Sequence, residues 1–316
     1  YKTEKYLKTA LHMAVEINNS KIVSLLIKKE NIKINEVLTY TITKSDNYLQ
    51  NQYKTALFMA VQNCNQEIVQ MLTSRIDIDS NIPFISKEEA QSKYYEEIPP
   101  LAIACKLNQF QIVNCLLSCP NINVNCREIL SFESSKSNFS YDYFPLNIAI
   151  KNSNLDIVQS LLKHHDIDVN AKEKHISQKS NEKKEGNEKN ALLIAIQKDN
   201  LDVVKLLLLN PNIKVNEICT NFLKEILYDL VSIPNEPNRL DIFDLYKTEE
   251  NSALHLAIIK GNIEIINLLL SHKEIDVNII NNNNTIKTKL LRENGQIKST
   301  DITKEEKEMI APLHLA

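Results

Sequence analysis

One stretch, Ser252 to Asn278 (SALHLAIIKGNIEIINLLLSHKEIDVN), returns with variations along the whole chain. Its leucine-centred opening recurs as Thr9-Ala10-Leu11-His12, Thr55-Ala56-Leu57-Phe58, Pro99-Pro100-Leu101-Ala102, Phe144-Pro145-Leu146-Asn147, Asn190-Ala191-Leu192-Leu193 and Ala311-Pro312-Leu313-His314. Inside the stretch, Leu254, Ala257 and Ile258, then Ile265, Ile266, Leu268 and Leu269, are spaced for one face of a helix, so two short amphipathic helices are predicted. Gly261-Asn262 separates them, because Gly enters the left-handed region without a Cβ clash and Asn tolerates it. Such a hairpin buries about eight aliphatic side chains at roughly 1.5–3 kcal/mol each. Ordering some 30 backbones costs about 1–2 kcal/mol apiece. One copy cannot fold alone, and a row of copies sharing a core is the solution open to the chain.

The Ser-Ala-Leu-His-Leu-Ala opening resembles the Thr-Pro-Leu-His-x-Ala signature of the ankyrin repeat, and Asp276-Val277-Asn278 resembles that repeat's closing Asp-Val-Asn. The resemblance implies an all-α, ankyrin-type helix-pair solenoid with extended hairpin or loop insertions. It implies a single array over 1–316 with repeats at about 9–35, 55–79, 99–125, 144–170, 190–216 and 252–278 and a partial one at 311–316. His12, His255 and His314 hold the signature histidine position, for which the resemblance implies hydrogen bonds tying a repeat to its neighbours.

Local chemistry supports these boundaries. Thr and Ser cap a helix through a side-chain oxygen, and Pro at the first helical position gives up a bond that the helix end could not make. Second helices are expected at 21–28, 67–73, 111–118, 156–163, 202–209 and 264–270, several opening on an acid that suits the helix N-terminus. Asn18, Cys64, Asn108, Ser153 and Asp199 stand where Gly261 does, and Asn31, Asn121, Asp166, Asn212 and Glu274 follow the second helices as further candidates for left-handed backbone. From Thr73 to Asp79 repeat two looks two residues short, which predicts an early end to its second helix.

Between repeats, 36–54, 80–98, 126–143 and 171–189 hold 18 or 19 residues, and 217–251 and 279–310 hold 35 and 32. Alternation over Val37 to Thr43 predicts a β-hairpin turning at Ser45-Asp46-Asn47. The polar insert 171–189 has no apolar pattern and is expected to be mobile. Phe222, Leu223, Ile226, Leu227, Leu230 and Val231 read as the apolar face of an extra helix ended by Pro234. Thr303 to Met309 reads as a polar helix capped by Asp301 or Thr303.

Of the Phe and Tyr residues, only Phe58, Phe110 and Phe144 lie in repeat bodies. Tyr6, Tyr53, Tyr95, Tyr143 and Tyr246 fall shortly before successive signatures, as a ladder joining neighbouring fingers requires. Tyr40, Tyr48, Phe84, Phe132 and Phe139, nearer the finger middles, are candidates for partner contact. The resemblance places partners on the concave side, which makes Glu16, Gln62, Lys106, Lys151, Gln197 and Ile259 candidates on the first helices, followed by Ile17, Asn63, Leu107, Asn152, Lys198 and Lys260.

Catalytic and metal chemistry finds little support. Gly186, Gly261 and Gly295 are isolated from one another, so no phosphate-cradling loop forms, and no nucleophile-elbow or His-Glu-x-x-His pattern occurs. Cys105, Cys115, Cys119 and Cys126 lack paired zinc-ligand spacing, and Cys115 takes the helix position held by Leu25, Leu206 and Leu268 in other repeats, as a core thiol does. The adjacent pair His164-His165 stands at a helix end, where a cation suits the dipole. A net charge of -3 with pI near 6.2 gives no basic field for nucleic acid or anionic membrane. No apolar run reaches the roughly 18 residues of a membrane span.

The expectation is a non-catalytic protein–protein interaction scaffold without cofactor or metal, with free thiols in the reducing cytoplasm. Two other classes fit the residues: a regulatory or tethering domain of a larger channel or multidomain enzyme, and a subunit of a permanent assembly. Tyr1 and Ala316, which cuts a signature short, suggest a piece of a longer protein.

Overall fold

The computed structural model describes the backbone of residues 3–45, 48–89, 92–179, 183–233, 236–293 and 296–310, with side chains over 7–43, 49–88, 92–179, 183–223 and 247–283. Two compact units result, residues 1–134 with 139–173, and residues 135–138 with 174–316.

The first unit contains four helix pairs: α1 (Ala10–Glu16) with α2 (Ser20–Ile27), α3 (Ala56–Gln62) with α4 (Gln66–Thr73), α5 (Pro100–Lys106) with α6 (Phe110–Leu117), and α7 (Pro145–Lys151) with α8 (Leu155–Leu162). First helices pack on first helices, and second helices on second helices. The shared core is Leu57, Leu101, Ile68, Ile112, Ile157, Leu72, Leu116 and Leu161, all at most 1% exposed. Met13, on the first pair, is 56% exposed, while Met59 at the same place in the next pair is 7% exposed. The burial of a stacking residue thus depends on a neighbouring repeat, as the energetics require.

Caps follow the sequence closely. Thr9 and His12 form a reciprocal box: the His12 N–H donates to Thr9 Oγ1 at 3.4 Å, and His12 Nδ1 lies 2.8 Å from that hydroxyl and 3.4 Å from the Thr9 nitrogen. Nδ1 accepts both hydrogen bonds, so the proton of the neutral ring sits on Nε2. Burial pushes the His12 imidazole below its ordinary range, opposed by the backbone of Lys54 and Glu36 beside the ring. Thr55 caps α3 through its hydroxyl, whereas α5 and α7 open on Pro with no side-chain cap. Asn18, Cys64, Asn108, Ser153 and Asp199 all take positive φ, between 52° and 56°. The next residue completes the step, since Asn19, Asn65 and Asn154 each accept the N–H three residues on and start the second helix. Asn31, Asn121, Asp166, Asn212 and Glu274 do not enter the left-handed region; the second helices close instead through right-handed caps. Nor does α4 end early, because it has the same eight residues as α2.

Asparagines bolt the repeats together behind the second helices. Asn35 donates through Nδ2 to the Asp77 carbonyl at 2.7 Å and accepts the Asp79 N–H at 2.8 Å. Asn81 repeats this on Asn121 and Asn123, and Asn125 on Asp166 and Asp168, with the same two distances. The equivalent of Asn35 is therefore Asn81, not Asp79, which removes the apparent deletion in repeat two.

The largest correction concerns fold class. The molecule is not all-α, because every insert whose backbone is described forms antiparallel β-strands. In the first unit, β1 (Thr3–Leu7), β2 (Val37–Ser45), β3 (Tyr48–Thr55), β4 (Phe84–Glu89), β5 (Lys93–Ile98), β6 (Glu128–Glu133) and β7 (Ser137–Tyr143, in this unit from Phe139 on) follow one another as sheet neighbours. The hairpin predicted from Val37 to Thr43 is present, with Ser45 opposite Tyr48, and Asp46 and Asn47 lie outside the described residues. A finger pairs with its neighbour as well as with itself, so its backbone bonds are satisfied on both edges without an apolar core.

The second unit holds β8 (Glu173–Lys179, in this unit from Lys174 on), β9 (Lys183–Lys189), α9 (Ala191–Gln197), α10 (Leu201–Leu208), β10 (Cys219–Ile233), β11 (Glu236–Asn251), α11 (Ala253–Lys260), α12 (Ile263–Leu270), β12 (Asn281–Glu293) and β13 (Gln296–Ile310). Here α9 packs on α11 and α10 on α12. Asn190, Asn200, Ser252 and Asn262 cap the four helices. Asn216 grips Glu274 and Asp276 as its counterparts do in the first unit. Gly261 ends α11 at φ 70°, as predicted.

Three sequence expectations fail in this unit. The segment 171–189, expected to be mobile for want of an apolar pattern, supplies β8 and β9. The apolar residues from Phe222 to Val231 lie on β10, paired with β11 from Cys219–Asn251 to Val231–Arg239 and with β9 from Asn221–Asn187 to Glu225–Lys183. Their grouping in adjacent couples suits a helix face, but the backbone here is extended and hydrogen-bonded to the neighbouring strands. Thr303 to Met309 likewise belongs to β13, not to a helix.

Candidate interaction surface

Register divides the finger sheet of the first unit into two faces, since directly opposed residues share a face and alternate residues do not. One row runs Tyr40, Gln52, Ser86, Glu96, Leu130, and the next row outward runs Ile42, Gln50, Glu88, Tyr94, Phe132. Leu38, Phe84, Ser86, Ile98 and Glu128 have the same parity and are buried. This is the inner face, toward the first helices. Thr39, Tyr53, Ile85, Glu97 and Ile129, with Asn51, Lys87, Tyr95 and Ser131, make up the outer face.

At the base of the inner face, first helices hold the fingers. Lys106, at the end of α5, contacts the buried Glu128 carboxylate at 2.5 Å. Lys151, at the end of α7, contacts the buried Glu173 at 2.8 Å and stands 4.1 Å over the Tyr143 ring. Glu16 is paired with Lys8 at 2.7 Å. In the second unit, Gln197 accepts from Lys189 at 2.9 Å. Three of the six first-helix candidates, Lys106, Lys151 and Gln197, thus hold adjoining finger residues, and Glu16 holds Lys8 just before α1, roles the sequence did not reveal. Gln62 is exposed and Ile259 is 60% exposed.

The finger candidates part company. Phe84 is 8% exposed, stacked on Phe58 at 5.1 Å, with Lys54 5.9 Å from its centroid. Tyr40 is half-buried on the inner face, and the side chain of Tyr48 lies outside the described residues. Phe132 and Phe139 are half-buried and stack at 5.3 Å. The run continues to Tyr141 at 5.3 Å and Tyr143 at 5.9 Å, so that four rings form one strip on the inner face. Tyr94, opposite Phe132 in register, extends it. Burial, with Glu96 and Glu88 nearby, raises the Tyr94 hydroxyl far above its usual range. The tyrosine ladder is not built as expected: Tyr53 and Tyr95 point outward and Tyr143 inward. Tyr95 bonds Glu97 at 2.5 Å beneath Lys87, while the Tyr6 and Tyr246 side chains are not among those described. Sequence reasoning missed Tyr94 and Tyr141; strand parity would have placed both with Phe132 and Phe139.

In the second unit an open cavity of about 300 Å³ is lined by His175, Asn187, Asn221, Phe222, Lys247 and Glu249 among others. Gly186 makes room there for a ring, since a Cβ at that position would lie 2.4 Å from Phe222. Cys105, Cys119, Cys126 and Cys219 are buried, and all six thiols are free. Burial pushes the Cys126 thiol up to about 12 and raises Cys105 further, which leaves these thiols protonated and inert packing groups. Among the described residues, His164, His165 and Asp166 bring possible ligand atoms within 4.8 Å of one another. Those atoms serve the turn itself: Asp166 N–H donates to His164 Nδ1 at 3.3 Å, and His165 Nε2 pairs with Asp166 at 3.1 Å. No helix among the described residues is long and apolar enough to cross a membrane.

Stacked two-helix repeats with capped left-handed steps, an asparagine ladder and projecting β-fingers define a helix-pair repeat protein. The sequence profile for ankyrin repeats (3 copies) matches residues 2–83 and 84–173, and that for the single ankyrin repeat matches 249–282. The chain belongs to the ankyrin repeat family. Repeats of this family serve generally as protein–protein interaction modules. Among solved structures, the crystal structure of EF0377, an ankyrin repeat protein, is similar at 17% identity and a TM-score of 0.48, over 84% of this chain and 98% of that one. A search of curated proteins gave no match.

Proposed function

We propose that this chain is a non-catalytic interaction scaffold that recognises another protein along the inner face of its fingers and the exposed first-helix positions beside them. The observation that carries the reading is the strip Phe132, Phe139, Tyr141 and Tyr143: rings stacked on one another yet half-open, on a finger face rather than in a repeat core. Rigid aromatic side chains give large contact area at small entropic cost, and they anchor interfaces disproportionately. Tyr40 and Gln62 belong to the same unit as the strip, and Ile259 is the exposed first-helix position of the second unit. Free, buried thiols suit a reducing compartment, which favours the cytoplasm.

The test is affinity capture from a native lysate, comparing wild type with Phe132→Ala/Phe139→Ala and with Gln62→Ala. Loss of a specific protein with the aromatic variant, at unchanged thermal midpoint, is the expected result. Identical capture by wild type and the aromatic variant would move recognition off the fingers.

A further inference from the structure

The inner face already shows which chemistry it accepts. At its base, rings and carboxylates are matched to the protein's own lysines: Lys151 over Tyr143 and against Glu173, Lys106 against Glu128, and Lys54 near Phe84. One row further out the same combination recurs without a lysine. Glu88 lies opposite Tyr94, which lies opposite Phe132, and Glu96 lies on the same face two residues from Tyr94. Neither Glu88 nor Glu96 has an ion-pair partner among the described residues, and all four side chains are half-open. The nearby lysines cannot serve, because Lys87 and Lys93 have outer-face parity, where Lys87 covers Tyr95 and Lys93 pairs with Glu133.

We propose that the outer rows of the inner face, Glu88, Tyr94, Glu96 and Phe132, with Phe139 stacked behind Phe132, bind an extended protein segment carrying arginine or lysine. This rests on the interaction-module reading above and names the chemistry of the partner. Ring faces carry negative quadrupole charge and attract a guanidinium or ammonium, and the flanking carboxylates add direct charge. Phe132 and Phe139 stack at 5.3 Å and cover each other's facing sides, so a cation is received on the Tyr94 side of Phe132, beside Glu88 and Glu96. Arginine fits better than lysine, because its planar fork stacks on a ring while it bonds a carboxylate at its edge.

A fluorescein-labelled synthetic peptide alternating Arg and Ser is the probe, read by anisotropy at physiological ionic strength against the full chain. Controls are the same peptide with Gln for Arg, and the protein variants Glu88→Gln/Glu96→Gln and Phe132→Ala/Phe139→Ala. The isosteric carboxylate variant guards against a folding defect in the aromatic one. Expected is saturable binding of the Arg peptide, weakened about tenfold or more by either variant, and none for the Gln peptide. Equal affinity for the Gln peptide, or full affinity in the carboxylate variant, would overturn the proposal. Absence of Arg-peptide binding while lysate capture still depends on Phe132 and Phe139 would overturn the cationic class alone. If capture is also indifferent to those rings, the interaction reading falls with it.

Discussion

Repeat bodies and fingers obey different constraints. At the signature leucine, Leu11, Leu57, Leu101, Leu146, Leu192 and Leu254 are all 3% exposed or less, and each second helix has eight residues. The finger strands run from six residues in β4 to 16 in β11. A body is fixed by volume: each side chain fills a space that its neighbours in the stack define, and one methylene too few is felt. A finger is fixed by backbone pairing, which any non-proline residue can supply, so its length and side chains are free to serve a partner. On the proposed reading, stability rests on the bodies and finger bases, and recognition on the outer rows of the fingers.

The sharpest way to break that separation is at a stacking position. Leu161→Ala should lower unfolding free energy by about 2–5 kcal/mol in urea titration, because the side chain is fully buried and its loss opens a cavity between neighbouring repeats. Removing a bolt should cost less: Asn125→Ala forfeits the donation to Asp166 and the bond from Asp168, roughly 1–3 kcal/mol by the same titration. Loss of the Thr9 cap in Thr9→Ala should cost about 1 kcal/mol, seen as fraying of α1 by amide exchange.

His12 adds a pH test. Its folded pKa lies below the ordinary 6.5, so the unfolded chain binds the proton more readily, and its contribution is full above pH 6.5 and lost as pH falls through the folded value. His12→Asn, which places there the residue that repeat four carries as Asn147, should flatten the decline of the urea midpoint between neutral and mildly acidic buffer. An unchanged slope would remove His12 from the account. At the small end, Lys184→Ala on an exposed position of β9 should leave the midpoint where it was. Equal losses for Leu161→Ala and Lys184→Ala would erase the distinction between body and finger.

How much of this the sequence carried follows the same line. Helix spans, caps and the five non-glycine left-handed residues could be read from periodicity and short-range chemistry, because each is decided within a few residues. The fingers could not, since their strands are decided by pairing with distant neighbours. Lys183 to Lys189 contains no apolar pattern, yet Lys183, Lys184, Glu185, Gly186 and Asn187 pair with β10. Phe222 to Val231 imitated a helix for want of that partner. The candidate surface was half legible: Phe132 and Phe139 were visible as aromatics outside the bodies, but their joining with Tyr94, Tyr141 and Tyr143 needed strand parity. Lys106 and Lys151, which look free in sequence, are occupied by Glu128 and Glu173 from the next finger.

The central claim is that within each unit the fingers form a hydrogen-bonded framework rather than a fringe of loops. Amide hydrogen exchange across Lys183–Lys189 tests it most directly, because this strand has β8 on one side and β10 on the other and no sequence pattern of its own. Slow exchange along the strand, approaching that of the α9 and α10 amides, is the predicted result. Exchange at the rate of an unstructured peptide would contradict the sheet and, with it, a recognition face built on strand parity.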